Sequence, residues 1–378
     1  MMEAYDELLR WAQDRGVEIH GIAPREIPGK GVGMVATKPL KANERLLHVP
    51  TSALRSLETI RPKVKKALPA DTRVHALLAA DLALDKPTTK KYAPWNAIVP
   101  SAADLATALP LAWSSPVLHN YLPPPARALL RAQQAKFARD WAAVSAAFPA
   151  LAPDAFRHAW LLTNTRTFYH ETARTARLPH DDRMVLQPVA DLFNHAADGG
   201  CEVAFTPASF AITADRAYAE GEEVLICYGR HSNDFLLVEY GFVLEQNRWD
   251  EVGLDEAVLP ELGEEEKRLL EEKGFLGGYV LDAKAVCYRT LVALRLLCVP
   301  RAEWERLVAE GEDGGEKVQA KVDRLLLRIL CKYRRTVEGT IKELEGLEDG
   351  EPCQREILRV RWQQIRALID QTIERLEY

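Results

Sequence analysis

The segments with β-like character fall into two blocks, residues 17–54 and 161–245, and helical patterning fills what lies between and after them. In the first block VEIHGI, VGMVA and RLLHVP are short runs punctuated by Pro24, Pro28, Gly29, Gly31, Gly33 and Pro39. In the second, VLQPVADLF, EVAFTP, FAITA and EEVLICYG are separated by turn clusters such as AADGG and AEGEE. Residues 55–160 are rich in Ala and Leu at helical spacing, as in VHALLAADLAL, and read as a helical insert. From about 250 onward, RTLVALRLL, VDRLLLRILCKY and ILRVRWQQIRALIDQTIERL repeat apolar residues three and four apart, the pattern of packed amphipathic helices. The expected organisation is an N-terminal helix with the first β block over 1–54, the insert over 55–160, the second β block over 161–245, and a helical tail over 250–378.

Composition narrows the function classes. With 49 Lys and Arg against 55 Asp and Glu, the net charge of -6 argues against direct nucleic-acid binding, which needs a strongly basic face. The acidic runs GEEEKRLLEEK and AEGEDGGEK lie in the last third; they suit a basic partner or, more plainly, a solvated helix surface. Cys201, Cys227, Cys287, Cys298, Cys331 and Cys353 form no close pair, so neither a metal site nor a disulfide framework is indicated. No run of about 18 apolar residues suggests a membrane span, and the amphipathic start MMEAYDELLRWAQDRG has no signal or transit character. A cytoplasmic or nuclear protein is expected.

Four short stretches carry chemistry. GVGMVA at 31–36 has the spacing of a dinucleotide fingerprint, which has meaning only where a strand feeds a helix that meets a pyrophosphate. Pro39 and Asn43 stand where that helix would begin, so a β-turn-β setting is expected instead. Its glycines either let something approach the backbone closely or serve a plain hairpin. DLFNH at 191–195 offers the donor and acceptor edges that adenine or ribose takes, with a satisfied turn histidine as the plainer alternative. In TNTRTF at 163–168, Arg166 suits a carboxylate-bearing ligand, or an ordinary salt bridge at a helix end. Finally, ICYGRHSNDFLLVEYGF at 226–242 sets two Tyr-Gly pairs about a short helical segment that Ser232-Asn233 is placed to cap; aromatic core packing is the competing reading.

In this order, KGVGMVA at 30–36, TRTF at 165–168, PVADLFNH at 188–195, EGEEVLICYG at 220–229 and SNDFLLVEYGF at 232–242 resemble the SET-domain protein methyltransferases. The branch they are most similar to is that of the Rubisco large-subunit lysine methyltransferase, with relatives acting on ribosomal proteins or actin. KYAPWNAIVPSAADLATALPLAW at 91–113 is similar to the Trp-rich insert of that branch. The resemblance implies an α+β fold: a β-rich SET domain with a pseudoknot, interrupted by a helical insert and followed by an all-α substrate-binding domain.

It also implies S-adenosylmethionine as cofactor, held by Lys30, Gly31, Val32 and Gly33 largely through main chain, by Thr165 and Arg166, by Asn194 and His195 at the adenine end, and by Tyr228. Tyr228 matches the catalytic tyrosine; Asp191, Tyr240 and Phe242 match the substrate side. Relatives often carry Glu at the position of Lys30 and Ser at that of Thr165, and neither change removes a group the chemistry needs. The implied activity is methylation of a lysine on a non-histone protein, a basic one such as a ribosomal protein, by a monomer that binds neither nucleic acid nor membrane. Histidine methylation on the same fold, and a catalytically silent interaction module, are the alternatives. The intact Asn194, His195, Tyr228 and Tyr240 argue against the last.

Overall fold

A computed structural model describes residues 2–85, 91–172, 174–311 and 316–377; part of the AEGEDGGEK run, at 312–315, lies outside them. The chain divides into two compact units, Met1–Ala106 with Arg131–Arg230, and Thr107–Leu130 with His231–Tyr378.

The first unit is built from strands of both β blocks. They are β1 (Glu18–Ile19), β2 (Ile22–Ile27), β3 (Gly31–Ala36), β4 (Arg45–Pro50), β5 (Thr167–Tyr169), β6 (Met184–Leu186), β7 (Asn194–His195), β8 (Glu202–Thr206), β9 (Ser209–Thr213) and β10 (Glu223–Ile226). One sheet has the order β1-β4-β9-β8 and another β2-β3-β10-β7, so each joins strands far apart in sequence. Alternation in β9 turns Phe210 and Ile212 inward, where they meet Leu47 and Val49 of β4 and Met34 of β3 in one core. β10 runs antiparallel to β3 and parallel to β7, with Leu225 opposite Asn194 and Ile226 opposite His195. The NH segment and the ICYG segment therefore lie side by side, as the expected pseudoknot requires.

VLQPVADLF departs from its β-like pattern. Its beginning is extended, in β6; Val189 then adopts φ 81, Ala190–Leu192 form a single 3-10 turn, and Phe193 is extended again before β7. Pro188 cannot donate to a ladder, and a positive φ turns the chain out of the strand path. A buried β-branched residue at such a φ holds roughly 1–3 kcal/mol of strain, which the surrounding core must impose.

The stretch 55–160 is shared between the two units. Trp95 buries in the first core, whereas Trp113, Leu118, Leu122, Ala126 and Leu130 bury with the tail helices. The boundary expected at 160/161 falls inside the helix Pro153–Arg166. The segment after Arg230, which the sequence groups with the second β block, belongs with the tail for an electrostatic reason. Arg361, fully buried on the helix Pro352–Glu377, donates from Nε to Asp234 at 2.8 Å, from Nη1 to Asp250 at 2.7 Å, and from Nη2 to the Glu251 carbonyl. Among the described residues the tail's strands are those of one ribbon, β11 (Glu251–Gly253) with β12 (Val280–Asp282), beside its helices. Its long helices Glu316–Glu345 and Pro352–Glu377 face each other through Leu326, Ile329, Leu330, Leu358, Ile365 and Ile369. Among the described residues no helix is long and apolar enough to cross a membrane.

Candidate active site

The turn before β3 and the strand itself form the first wall. Gly31 has φ 76, a left-handed conformation that side chains other than glycine adopt at a cost. Gly33 is glycine for a different reason. A Cβ there would stand 2.8 Å from Asn194 Nδ2, from Glu223 Oε1 and from Ile27 Cγ1, so the strand can lie against those side chains only without one. The close-approach reading of the glycines thus applies at Gly33. No helix follows β3, and the dinucleotide reading has no structural footing here.

Asn194 and Lys30 meet through a residue the sequence reading missed. Asn194 Nδ2 donates to Glu223 Oε1 at 2.8 Å, and Lys30 Nζ stands 2.8 Å from Glu223 Oε2. Glu222 and Glu223 look alike in the EGEEV turn cluster. Glu223 begins β10, whereas Glu222, just before the strand, pairs with Arg216 and accepts from the Ala219 N–H.

A second group surrounds Asp191. Its carboxylate accepts from Trp95 Nε1 at 2.9 Å and lies 3.3 Å from Arg166 Nη1, which also donates to the Asp191 carbonyl at 2.8 Å. Burial raises the Asp191 carboxyl above its ordinary range, and the Arg166 charge opposes that rise. Asp191 thus faces inward, onto Arg166, and not onto an open surface. Arg166 is the last residue of its helix, where a cation complements the carbonyl end. Its Nε is buried with no hydrogen-bond partner, as is Asp191 Oδ1. The Thr165 hydroxyl is taken up within the helix, donating to the Leu161 carbonyl at 2.9 Å.

The third group centres on Tyr228. Its backbone N–H donates to His195 Nδ1 at 3.0 Å, which leaves the ring proton of a neutral imidazole on Nε2. The two rings stack at 5.0 Å. The Tyr228 hydroxyl donates to the Phe193 carbonyl at 2.6 Å, fixing the phenol oxygen in one place. Parallel pairing of β7 with β10 brings these residues together.

Tyr240 and Phe242 belong to the second unit. Ser232 caps the helix Asn233–Tyr240 by accepting from the Phe235 N–H, and Gly241 closes it at φ 83. Around Tyr240 stand the rings of His231, Phe235 and Phe242, at 6.3–6.4 Å. Burial pushes the Tyr240 hydroxyl up to about 12, so it stays a neutral phenol. Among the described residues, no group of three or more His, Cys, Asp or Glu could hold a metal ion.

Comparison with known proteins bears on the family and the fold. The SET-domain family model matches residues 31–229, and that of the ribosomal lysine N-methyltransferase 2 C-terminal domain matches residues 250–375. SET domain-containing protein 4 of Mus musculus is 28% identical, covering 94% of this chain and 89% of its own length. Ribosomal lysine N-methyltransferase set11 of Schizosaccharomyces pombe is 25% identical over 90% of both chains. Among solved structures, the SET domain of LSMT bound to lysine and AdoHcy superposes with a TM-score of 0.67 at 15% identity, covering 100% of this chain and 91% of that one. That likeness shows the fold. Since the SET model spans more than half of the chain, from the β3 glycines to the residue after Tyr228, the chain belongs to the SET-domain family.

Proposed function

We propose that this protein transfers a methyl group from S-adenosylmethionine to a lysine side chain of a non-histone protein, with ribosomal proteins as the foremost substrate class. The observation that carries the reaction is the fixed phenol of Tyr228, stacked on His195 and anchored to the Phe193 carbonyl. Support for the substrate class comes from the tail, which matches the C-terminal domain of ribosomal lysine N-methyltransferase 2, and from the relative named ribosomal lysine N-methyltransferase set11.

The residues fit the methyl donor. Gly33 lets its strand lie against the Asn194 side chain, Arg166 keeps a buried N–H without a partner, and Asn194 adds an amide. We assign the main chain of Lys30, Gly31, Val32 and Gly33, the Arg166 guanidinium, and Asn194 with His195 to hold it. Asp191 and Trp95 position Arg166, and Thr165 shapes the end of its helix. When bound, the donor supplies a methyl group already activated on a sulfonium, so the protein's task is alignment.

A free lysine amine ordinarily holds its proton to a pKa of about 10.4, and desolvation near a positive charge lowers that value. Tyr228 then orients the reactants. Its O–H is directed to Phe193, so the oxygen presents lone pairs, and donating a hydrogen bond makes them better acceptors. A neutral phenol in this state orients an amine and needs to take no proton. We assign Tyr240 and Phe242, whose rings stand 6.3 Å apart, to the recognition of the substrate.

Incubating the protein with labelled S-adenosylmethionine and a cell lysate, fractionated into ribosomal and other proteins, tests the reading. Label on lysine of a ribosomal protein, located by mass spectrometry, is the expected result. Label on histidine would shift the target residue, and no label in any fraction alongside intact cofactor binding would leave a silent interaction module.

A further inference from the structure

We propose that Glu223 is a positioning residue that fixes which edge of the Asn194 amide faces the cofactor, and that Lys30 holds Glu223 in place to do so. The inference rests on the reading that Asn194 holds S-adenosylmethionine. Glu223 stands between the two: Oε1 accepts from Asn194 Nδ2 at 2.8 Å, and Oε2 lies 2.8 Å from Lys30 Nζ. An ionised carboxylate only accepts hydrogen bonds, so the amide edge turned toward it must be the NH2. Oδ1 then points the other way. Asn194 therefore offers the ligand an acceptor, suited to an amino group, and not a donor.

Two features make this arrangement rigid. The Gly33 strand lies so close that a Cβ would press on both Asn194 Nδ2 and Glu223 Oε1, leaving neither side chain room to rotate on that side. The register sets the backbones as well: Glu223 starts the strand β10 whose Leu225 pairs with Asn194. Lys30 is the looser partner. Its side chain is 54% exposed against 16% for Glu223, so it anchors the carboxylate from the solvent side. Lys30 at this turn thus has a defined partner on the neighbouring strand.

A charge-swap series tests the assignment through the binding of S-adenosylmethionine, read by calorimetry, and through the separate effects on cofactor KM and on kcat. Asn194→Asp keeps the acceptor edge but sets two carboxylates against each other, and Glu223→Gln sets an amide NH2 against either Asn194 or Lys30. Each should weaken binding by roughly tenfold, the scale of one charge-assisted hydrogen bond left unmade. The double variant Asn194→Asp/Glu223→Gln restores both contacts, because the amide now at position 223 donates from its NH2 to the carboxylate now at position 194 and accepts from Lys30 with its oxygen. Its affinity should return to within a few fold of the parent, with kcat at saturating cofactor changing less than KM throughout.

Lys30→Met, on an exposed turn where folding is not at stake, should weaken binding a few fold and only in low salt. A double variant no better than Asn194→Asp alone would overturn the proposal, as would unchanged affinity in a folded Glu223→Gln protein. Asn194→Ala separates the two levels. Unchanged affinity in that variant would remove the cofactor reading itself, whereas weakened affinity without rescue in the swap removes only the role of Glu223.

Discussion

Glu223 in the first unit and Arg361 in the second each stand between two partners, and the two arrangements differ in their access to water. In the first unit Glu223 bridges Asn194 and Lys30 at the rim of the site, with Lys30 half exposed. In the second, Arg361 bridges Asp234 and Asp250 with side-chain exposures of 0%, 2% and 9%. Solvent and salt can weaken the first by degrees. The second is sealed: burial alone would disfavour the Arg361 charge, yet the two carboxylates reverse that effect and raise its pKa. A rim network can tune a ligand's fit at small cost to stability, whereas a buried one ties segments together and fails as a whole.

The largest effect that could break this contrast is on folding. Arg361→Ala leaves Asp234 and Asp250 buried without their counter-charge, which should destabilise the second unit by about 3–5 kcal/mol. Urea denaturation followed by circular dichroism measures it. A loss below about 1 kcal/mol would place this network in the same class as surface pairs, whose median is near that value.

Next in size is an effect on turnover with little on folding. Tyr228→Phe removes a hydroxyl held against the Phe193 carbonyl, and should lower kcat by roughly 10²–10³ while cofactor affinity stays within a few fold. Stability should fall by no more than one hydrogen bond, about 0.5–1.5 kcal/mol. Full turnover in the purified variant would withdraw Tyr228 from the reaction.

The smallest effect separates the units by pH. His75 is buried against the edge of Trp160, and desolvation, aided by the Lys136 charge, sets its pKa well below the usual 6.5. The unfolded chain then binds a proton that the folded one refuses. Stability from this source is complete above about pH 6.5 and declines as pH falls toward the folded pKa. Melting temperatures between about pH 7 and pH 5 should slope less in His75→Phe than in the parent. Parallel slopes would mean that His75 is not the titrating group.

Much of the site could be read from the chain. The NH and YGF segments, the glycines of β3 and Arg166 carry their identity in a few adjacent letters, because each is a local demand on backbone or side chain. Gly33 shows where legibility stopped: the sequence marks a close approach, and only the fold reveals Asn194 and Glu223 as what approaches. Glu223 carried no signal of its own. Beside Glu222 it reads as one more acidic turn residue, and its partners lie 29 and 193 positions away.

The sequence by itself determined that two β blocks, a helical insert and a helical tail exist, because hydrophobic period, proline and glycine act over a few residues. It also supplied the side chains assigned to the proposed reaction. Tertiary structure alone decided how the insert is divided, since Trp95 and Trp113 are equally apolar and only the packing partner available to each assigns it to a core. The same holds for charge. Nothing local distinguishes Arg361 from the less buried arginines of its helix, and its burial between Asp234 and Asp250 follows from contacts more than a hundred residues apart, which no short-range pattern encodes.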